Sequence, residues 1–296
     1  MTAKTQIMSV RKYFEFVRFS HTVFALPFAL AAMTVAAHGW PRSERGKPGW
    51  ATFALILVAM VCARTAAMGF NRIVDRHFDA KNPRTAQRHL PAGQMTVTGA
   101  WGLVIGAAAG LVVTSWFINW ICFWLSPVAL VIVFFYSLTK RFTDFTHLFL
   151  GLALAVAPVG AWLAVTGQFA WAPMMLAGAV VLWLTGFDII YATQDYEFDK
   201  TAGLRSLPVR LGIAGSLRVA KVAHGAMVAT LVGFGLISGM RLPYYAGVAV
   251  IAGCLVYEHR LAGKGDPVSV NASSLRVNGV ISVVFLAAVL ADVFFR

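Results

Sequence analysis

The sequence predicts an all-α polytopic membrane protein with nine transmembrane helices. Of its 296 residues, 59% are hydrophobic and only 12% are charged, whereas about 25% of the residues of a soluble globular protein are charged. The charges are separated by long uncharged stretches, and a stretch of about 20 apolar residues is long enough to cross the hydrocarbon core of a bilayer. This composition argues against an ordinary soluble protein.

Nine apolar runs predict the individual helices. The runs occupy residues 19–38, 50–72, 96–115, 118–138, 145–166, 172–194, 214–237, 242–259 and 275–294. A basic segment leads directly into the first run, which has neither the short apolar region nor the cleavage site of a signal peptide. We therefore expect the first run to be a membrane span, and the whole chain, 1–296, to form one membrane-embedded domain.

The net charge of +13 is distributed unevenly between the predicted connections. If the N-terminus is cytoplasmic, 19 of the 25 Lys and Arg residues fall in cytoplasmic segments, five fall on the opposite side and Arg64 lies within a span. This asymmetry is what the positive-inside rule predicts. The positive charge therefore indicates topology and a bacterial-type inner membrane location, and we expect no nucleic-acid partner.

The first polar motif is Asn71, Asp75 and Asp79 in the stretch GFNRIVDRHFD. The spacing of four residues places all three on one face of a helix. Neighbouring carboxylates repel each other unless a cation lies between them. Mg²⁺ prefers oxygen ligands and commonly binds one or two carboxylates together with substrate phosphates. We therefore predict that these residues bind Mg²⁺.

The second polar motif contains Asp188, Tyr191, Asp195 and Asp199 in the stretch FDIIYATQDYEFD. Its spacing again follows one helical face, from which Glu197 diverges toward solvent. Asp195 follows Asp75 by 120 residues, and a basic turn with proline comes after both motifs. This is compatible with a weak internal repeat of four helices, at about 15–140 and 141–260.

Basic residues on the same predicted side of the membrane complete the candidate site. An Arg or Lys side chain binds phosphate as a bidentate donor or as a point charge, respectively. Arg64 lies inside the second span, where a charge costs about 2.5–3.5 kcal/mol on insertion scales and usually faces a cavity or a partner. The alternative for each motif is a solvated helix face with Asp–Arg salt bridges, and the alternative for Arg64 is an ion pair with Asp188.

Several segments together resemble the UbiA-type intramembrane prenyltransferases. They are the NxxxDxxxD motif at 71–79, the DxxYxxxDxxxD run at 188–199, YSLTKR at 136–141, which resembles the family's tyrosine-lysine-arginine motif, GLRS at 203–206, and Arg64 before the asparagine. The resemblance covers about residues 18–290, and its motifs are specific in combination. It implies nine helices around a central cavity with a lateral opening for an isoprenoid chain.

The resemblance also implies Mg²⁺-dependent transfer of a polyprenyl group from its diphosphate to an aromatic acid, as in the 4-hydroxybenzoate polyprenyltransferases of quinone biosynthesis. The expected partners are these two substrates and the lipid bilayer, with no obligate protein partner. The candidate residues are Asp188 and Tyr191 for catalysis; Arg72, Lys140, Arg141, Lys200 and Arg205 for the diphosphate; Arg64 and Arg18 for the acceptor; and Asn71, Asp75, Asp79, Asp195 and Asp199 for the metal.

Two alternatives remain open. The first span reads RFSHTVFALPFA, where ubiquinone enzymes of the family carry an Asp-Lys-Pro pattern, so a naphthoate acid of futalosine-type menaquinone synthesis is an alternative acceptor. An ion-coupled transporter is the alternative of a different class. Transport residues, however, tend to lie near the midplane of the membrane at broken helices, whereas these acids cluster at one predicted face.

Overall fold

The structure is a computed structural model that describes residue 16 and residues 24–39, 49–263 and 267–295. Within these residues, nine helices of 12 or more residues and one short helix, α7, follow one another. They are α1 Leu26–Ala37, α2 Trp50–Lys81, α3 Val97–Ile118, α4 Trp120–Phe135, α5 Thr146–Thr166, α6 Trp171–Ala192, α7 Tyr196–Thr201, α8 Leu207–Ile237, α9 Leu242–Ala262 and α10 Pro267–Phe294. The prediction of a nine-helix membrane bundle is confirmed.

Seven of these helical segments are long and apolar enough to cross a membrane. The other two long helices are α1, which is apolar over its 12 described residues, and α9, which has 21 residues. Trp50, Trp116, Trp120 and Trp171 are exposed at helix ends, as expected for tryptophans at a membrane–water interface. The chain is an integral membrane protein.

Local sequence signals explain where several helices begin and end. The side chain of Thr96 accepts a hydrogen bond from the Gly99 amide, and Asn119 accepts one from the Cys122 amide. Each satisfies an amide that has no partner inside the helix. Ser206 caps α8 in the same way, and Gly167 ends α5 in the left-handed conformation that glycine adopts at low cost.

From α2 to α6 and from α8 to α10, helices adjacent in sequence pack against each other, α6 packs against α8, and α1 packs between α5 and α10. The main core lies where α1, α6 and α10 meet, with Phe28 stacked on Phe285 at a centroid distance of 4.5 Å and Trp183 beside Phe28. Gly151 lets α5 approach α6 closely, since a Cβ atom at this position would lie 2.6 Å from the Val181 carbonyl oxygen. This contact holds together the two helices that carry His147 and Asp188.

A buried polar network joins α9, α10 and α6. The Glu258 carboxylate accepts hydrogen bonds from the Ser274 hydroxyl and from Asn278 Nδ2, the latter at 2.5 Å. The Asn278 oxygen accepts a hydrogen bond from Trp183 Nε1 at 2.5 Å. Glu258 is only 1% exposed; both donors bind its Oε1, while its buried Oε2 accepts no hydrogen bond.

Candidate active site at the ends of α2 and α6

The four aspartates predicted as metal ligands each lie against one basic side chain. The nitrogen–oxygen distances are 3.2 Å for Asp75–Arg141, 2.6 Å for Asp79–Arg88, 2.5 Å for Asp195–Arg84 and 3.8 Å for Asp199–Lys140. The solvated-face alternative is not supported by burial, because Asp79, Asp195 and Asp199 are all less than 9% exposed. The carboxylates are held within the protein.

The connection after α2 binds the second motif directly. Arg84 donates from Nε to Asp195 Oδ1 at 2.9 Å and from Nη2 to Oδ2, and it also donates to the Tyr191 hydroxyl at 3.3 Å. Asn82 Nδ2 donates to the same Asp195 carboxylate at 3.3 Å. Burial lowers the pKa of Arg84, but the hydrogen bond and the charge of Asp195 raise it above its usual value, so Arg84 stays protonated. Arg84 therefore binds the connection that follows the first motif to the second motif.

The turn Tyr136–Arg141 links the two motifs a second time. Its adjacent residues Lys140 and Arg141 contact Asp199 of the second motif and Asp75 of the first motif, respectively. The Arg205 amide donates to the Lys140 carbonyl at 2.9 Å, which fixes the turn against the segment before α8. Lys140 and Arg141 thus lie between the two motifs, as the phosphate-binding prediction requires.

A cavity of about 160 Å³ opens next to these ion pairs. Its polar lining consists of Arg64, Asn71, Arg72, Arg88, Tyr136, Asp188 and Tyr191. Its apolar lining consists of Phe24, Met68, Leu150, Leu154, Leu184, Phe187 and Leu275. The cavity therefore offers charged and apolar surfaces side by side.

Arg64 and Arg72 both line the cavity from α2, and Arg72 is only 6% exposed. Arg64 lies seven residues before Asn71, which places both side chains on nearly the same face of the helix. Asp188 does not form the ion pair with Arg64 that was the alternative interpretation of Arg64. Its carboxylate instead pairs with His147, whose Nδ1 lies 2.6 Å from Asp188 Oδ2.

His147, whose side chain is fully buried beside the site, was not among the residues predicted from the sequence. Its Nε2 accepts a hydrogen bond from the Leu207 amide at 3.4 Å. A single histidine at the start of an apolar run, directly after the basic turn, is the only signal in the sequence. Arg84 and Arg88 were also missed, since their place in a predicted cytoplasmic connection indicated only topology.

Two predicted residues, Lys200 and Arg205, keep their side chains outside this arrangement. Lys200 is exposed, with its ammonium 5.8 Å from the centre of the Tyr196 ring. Arg205 is exposed, and its guanidinium donates to the Phe142 carbonyl at 2.9 Å. Arg18 lies outside the described residues. Glu197 is exposed, as its position off the acidic stripe predicts.

Two buried carboxylate oxygens in the site lack a hydrogen bond, although Lys140 Nζ lies 3.8 Å from one of them, Asp199 Oδ2. Asp79 Oδ2 and Asp199 Oδ2 are buried and accept no hydrogen bond. In the part of the chain that the structure describes, no group of three or more His, Cys, Asp or Glu side chains is already close enough to surround a metal ion. The donor chemistry nevertheless suits Mg²⁺, which takes carboxylate oxygens together with phosphate oxygens of a substrate.

Comparisons with known proteins agree with this geometry. The model of the UbiA prenyltransferase family matches residues 25–287. The 4-hydroxybenzoate octaprenyltransferase of Vibrio parahaemolyticus serotype O3:K6 is 32% identical over 74% of this chain and 77% of its own length. The structure of a UbiA homologue from Aeropyrum pernix K1 is 29% identical and superposes with a TM-score of 0.82 over 92% of this chain and 98% of that chain.

A UbiA homologue from Archaeoglobus fulgidus, solved with DMAPP and Mg²⁺ bound, shares the fold at 22% identity, with a TM-score of 0.70 over 96% of this chain and 100% of that chain. Together, the family match over residues 25–287 and the two convergent aspartate motifs lead to one conclusion. The chain belongs to the UbiA prenyltransferase family.

Proposed function

We propose that this chain transfers a polyprenyl group from its diphosphate to a 4-hydroxybenzoate-like aromatic acid, with Mg²⁺, in quinone biosynthesis. It is an aromatic prenyltransferase by family, and its relative in Vibrio parahaemolyticus is named for this reaction. The observation that carries the proposal is the cavity between α2 and α6, where motif side chains meet apolar ones. Such a cavity matches a substrate with an anionic head and an apolar body.

The basic side chains bind the diphosphate of the donor in this proposal. Arg88 lines the cavity, and its Nε is buried without a hydrogen-bond partner. That N–H group is therefore available to a phosphate oxygen, while Nη1 remains bound to Asp79. Lys140, Arg141 and Arg72 add positive charge next to the cavity, which favours the departing diphosphate.

Mg²⁺ would be held by Asn71, Asp75, Asp79, Asp195 and Asp199. The buried Oδ2 atoms of Asp79 and Asp199, which accept no hydrogen bond, support this assignment, and an archaeal protein of the same fold was solved with DMAPP and Mg²⁺ bound. When bound, the ion neutralises negative charge on the leaving diphosphate. The chain's own residues orient the two substrates and accept the proton.

Bond changes in the proposed reaction involve both surfaces of the cavity. The allylic carbon–oxygen bond breaks, and its electron pair leaves with the diphosphate. Phe187 and Tyr191 present aromatic rings to the developing positive charge on the allylic group. The acceptor carbon ortho to the hydroxyl forms the new bond, and Asp188 takes the ring proton as general base. Arg64 receives the acceptor carboxylate.

We further propose that the N-terminus and the site lie on the cytoplasmic side of a bacterial-type inner membrane. The distribution of Lys and Arg supports this orientation. The first motif lies toward the C-terminal end of α2, the second runs from the C-terminal end of α6 into α7, and the isoprenoid tail would extend from the cavity into the bilayer.

The acceptor is tested by incubating membranes that contain the protein with a labelled prenyl diphosphate and a panel of acceptors. The panel contains 4-hydroxybenzoate, a hydroxynaphthoate and a phenol without a carboxylate. We expect labelled product from 4-hydroxybenzoate and none from the phenol. Product from the naphthoate alone would replace the proposed acceptor with the menaquinone-type alternative, and no product from any aromatic acid would refute the proposed function.

The metal assignment is tested with Asp75→Ala and Asp195→Ala. Either change removes one motif carboxylate, so we expect Mg²⁺-dependent prenyl transfer to fall below detection. Glu197→Ala is the matched control, because Glu197 is an exposed acid in the same segment as Asp195. Wild-type turnover in either aspartate variant, in protein with an unchanged melting temperature, would rule out the assignment.

A further inference from the structure

We infer that His147 is a positioning residue that acts through Asp188, as a neutral imidazole with its proton fixed on Nδ1. The inference deepens the proposed function and rests on it, because Asp188 is the proposed base. His147 lies in the first turn of α5, and Asp188 lies near the end of α6. The two side chains meet across the close contact of these helices.

The hydrogen bonds of the His147 ring determine its tautomer. A backbone amide only donates, so the Leu207 amide, 3.4 Å away, makes Nε2 the acceptor. The ring proton must then lie on Nδ1, which donates to Asp188 Oδ2 at 2.6 Å. Both ring nitrogens are occupied and the side chain is fully buried, so His147 does not face a substrate itself.

This bond has two consequences for Asp188. It holds one carboxylate oxygen, Oδ2, against the protein, which leaves Oδ1 to meet the acceptor in the cavity that Asp188 lines. A donated hydrogen bond also stabilises the ionised carboxylate, which is the form required of a base. The Leu207 amide keeps the ring from rotating away.

The same chain of contacts extends to the diphosphate side of the site. Leu207 begins α8, and two residues earlier the Arg205 amide donates to the carbonyl of Lys140. Lys140 in turn pairs with Asp199 of the second motif. The start of α8 therefore supports both Asp188, through His147, and the basic turn.

The test compares His147→Phe with His147→Gln. Phenylalanine fills the space but offers no hydrogen bond. The oxygen and nitrogen of a glutamine amide are bonded to one carbon, as the two nitrogens of imidazole are, so the amide offers one acceptor and one donor like the neutral ring. We expect His147→Phe to lower kcat about 10- to 100-fold, the effect of losing a hydrogen bond to a charged group. We expect His147→Gln to retain most of the wild-type kcat, and KM for the prenyl diphosphate to stay unchanged in both variants.

Wild-type kcat in His147→Phe would overturn the inference, as would an equal loss in both variants with a raised KM for the donor. A second measurement needs no variant: ¹⁵N NMR of the labelled His147 ring should show protonated Nδ1 and unprotonated Nε2 at neutral pH. An Nε2-protonated ring or an imidazolium would also overturn it. The NMR result stands even if the wild-type protein accepts no aromatic acid, an outcome that would refute the proposed function instead.

Discussion

Single side chains at the site show what a sequence pattern can and cannot predict. The spacing of Asp75, Asp79, Asp195 and Asp199 predicted that they share helical faces, because helix periodicity is a local property. Lys140 and Arg141 were predicted as site residues, but the pairing of each aspartate with one base was not. Arg84 lies 111 residues from Asp195 and His147 lies 41 residues from Asp188, and such pairs depend on how distant helices pack.

Arg88 gives a direct test of diphosphate binding. We expect Arg88→Ala to raise KM for the prenyl diphosphate by about 10- to 100-fold, because it removes a charge-assisted donor that faces the cavity. Steady-state kinetics with varied donor concentration measures this change. Lys81→Ala is the matched control, since Lys81 is an exposed base at the end of the same helix as Asp79. An equal rise in KM in both variants would indicate a nonspecific loss of positive charge.

Individual helices were predicted well where the membrane determines their length. The apolar runs at 96–115 and 145–166 correspond to α3, Val97–Ile118, and α5, Thr146–Thr166. Hydropathy alone ended the second run at residue 72, whereas α2 continues to Lys81. The added turns carry Asp75 and Asp79 and lie beyond the apolar stretch, so their helical conformation was visible only in the spacing of the acids.

The contact between α5 and α6 at Gly151 should be essential for the geometry of His147 and Asp188. We expect Gly151→Ala to destabilise the protein by about 1–3 kcal/mol, as overpacking of a tight contact does, and to slow prenyl transfer. The obstacle is the Val181 backbone, which cannot rotate away as a side chain would. Thermal unfolding in detergent and kcat measure the two effects.

Gly160→Ala is the matched control on the same helix, because a Cβ atom there would meet nothing within 4 Å. We expect it to leave stability unchanged or slightly increased, since alanine favours a helix over glycine by up to about 1 kcal/mol. Equal melting temperatures for the two variants would contradict the importance of the Gly151 contact.

The whole bundle is held together by more than apolar packing. Nine helices and their order were predictable from hydropathy, and the family match accounts for the same architecture. The network around Glu258 was not predicted, because its members come from three different helices and form no short motif. The internal four-helix repeat remains a prediction.

The Glu258 network allows a test of stability at this scale. Glu258→Leu removes the acceptor of the Ser274 hydroxyl and one of the two acceptors of Asn278 Nδ2, which still donates to the Ser274 carbonyl, so we expect a loss of about 1–3 kcal/mol for each donor left unsatisfied. Glu258→Gln keeps a carbonyl oxygen as acceptor and should lose less. Unfolding of the purified protein by heat compares the two, and a Leu variant as stable as the Gln variant would show that the network adds no stability.

The ion pairs of the four motif aspartates imply that the fold does not depend on Mg²⁺. Protein side chains already balance these carboxylates, so dialysis against EDTA should abolish turnover while leaving the unfolding temperature unchanged, and added Mg²⁺ should restore activity. A lower unfolding temperature in EDTA would contradict this expectation. In a cell depleted of magnesium, the enzyme would then stay folded but inactive, and its activity would return when Mg²⁺ is supplied again.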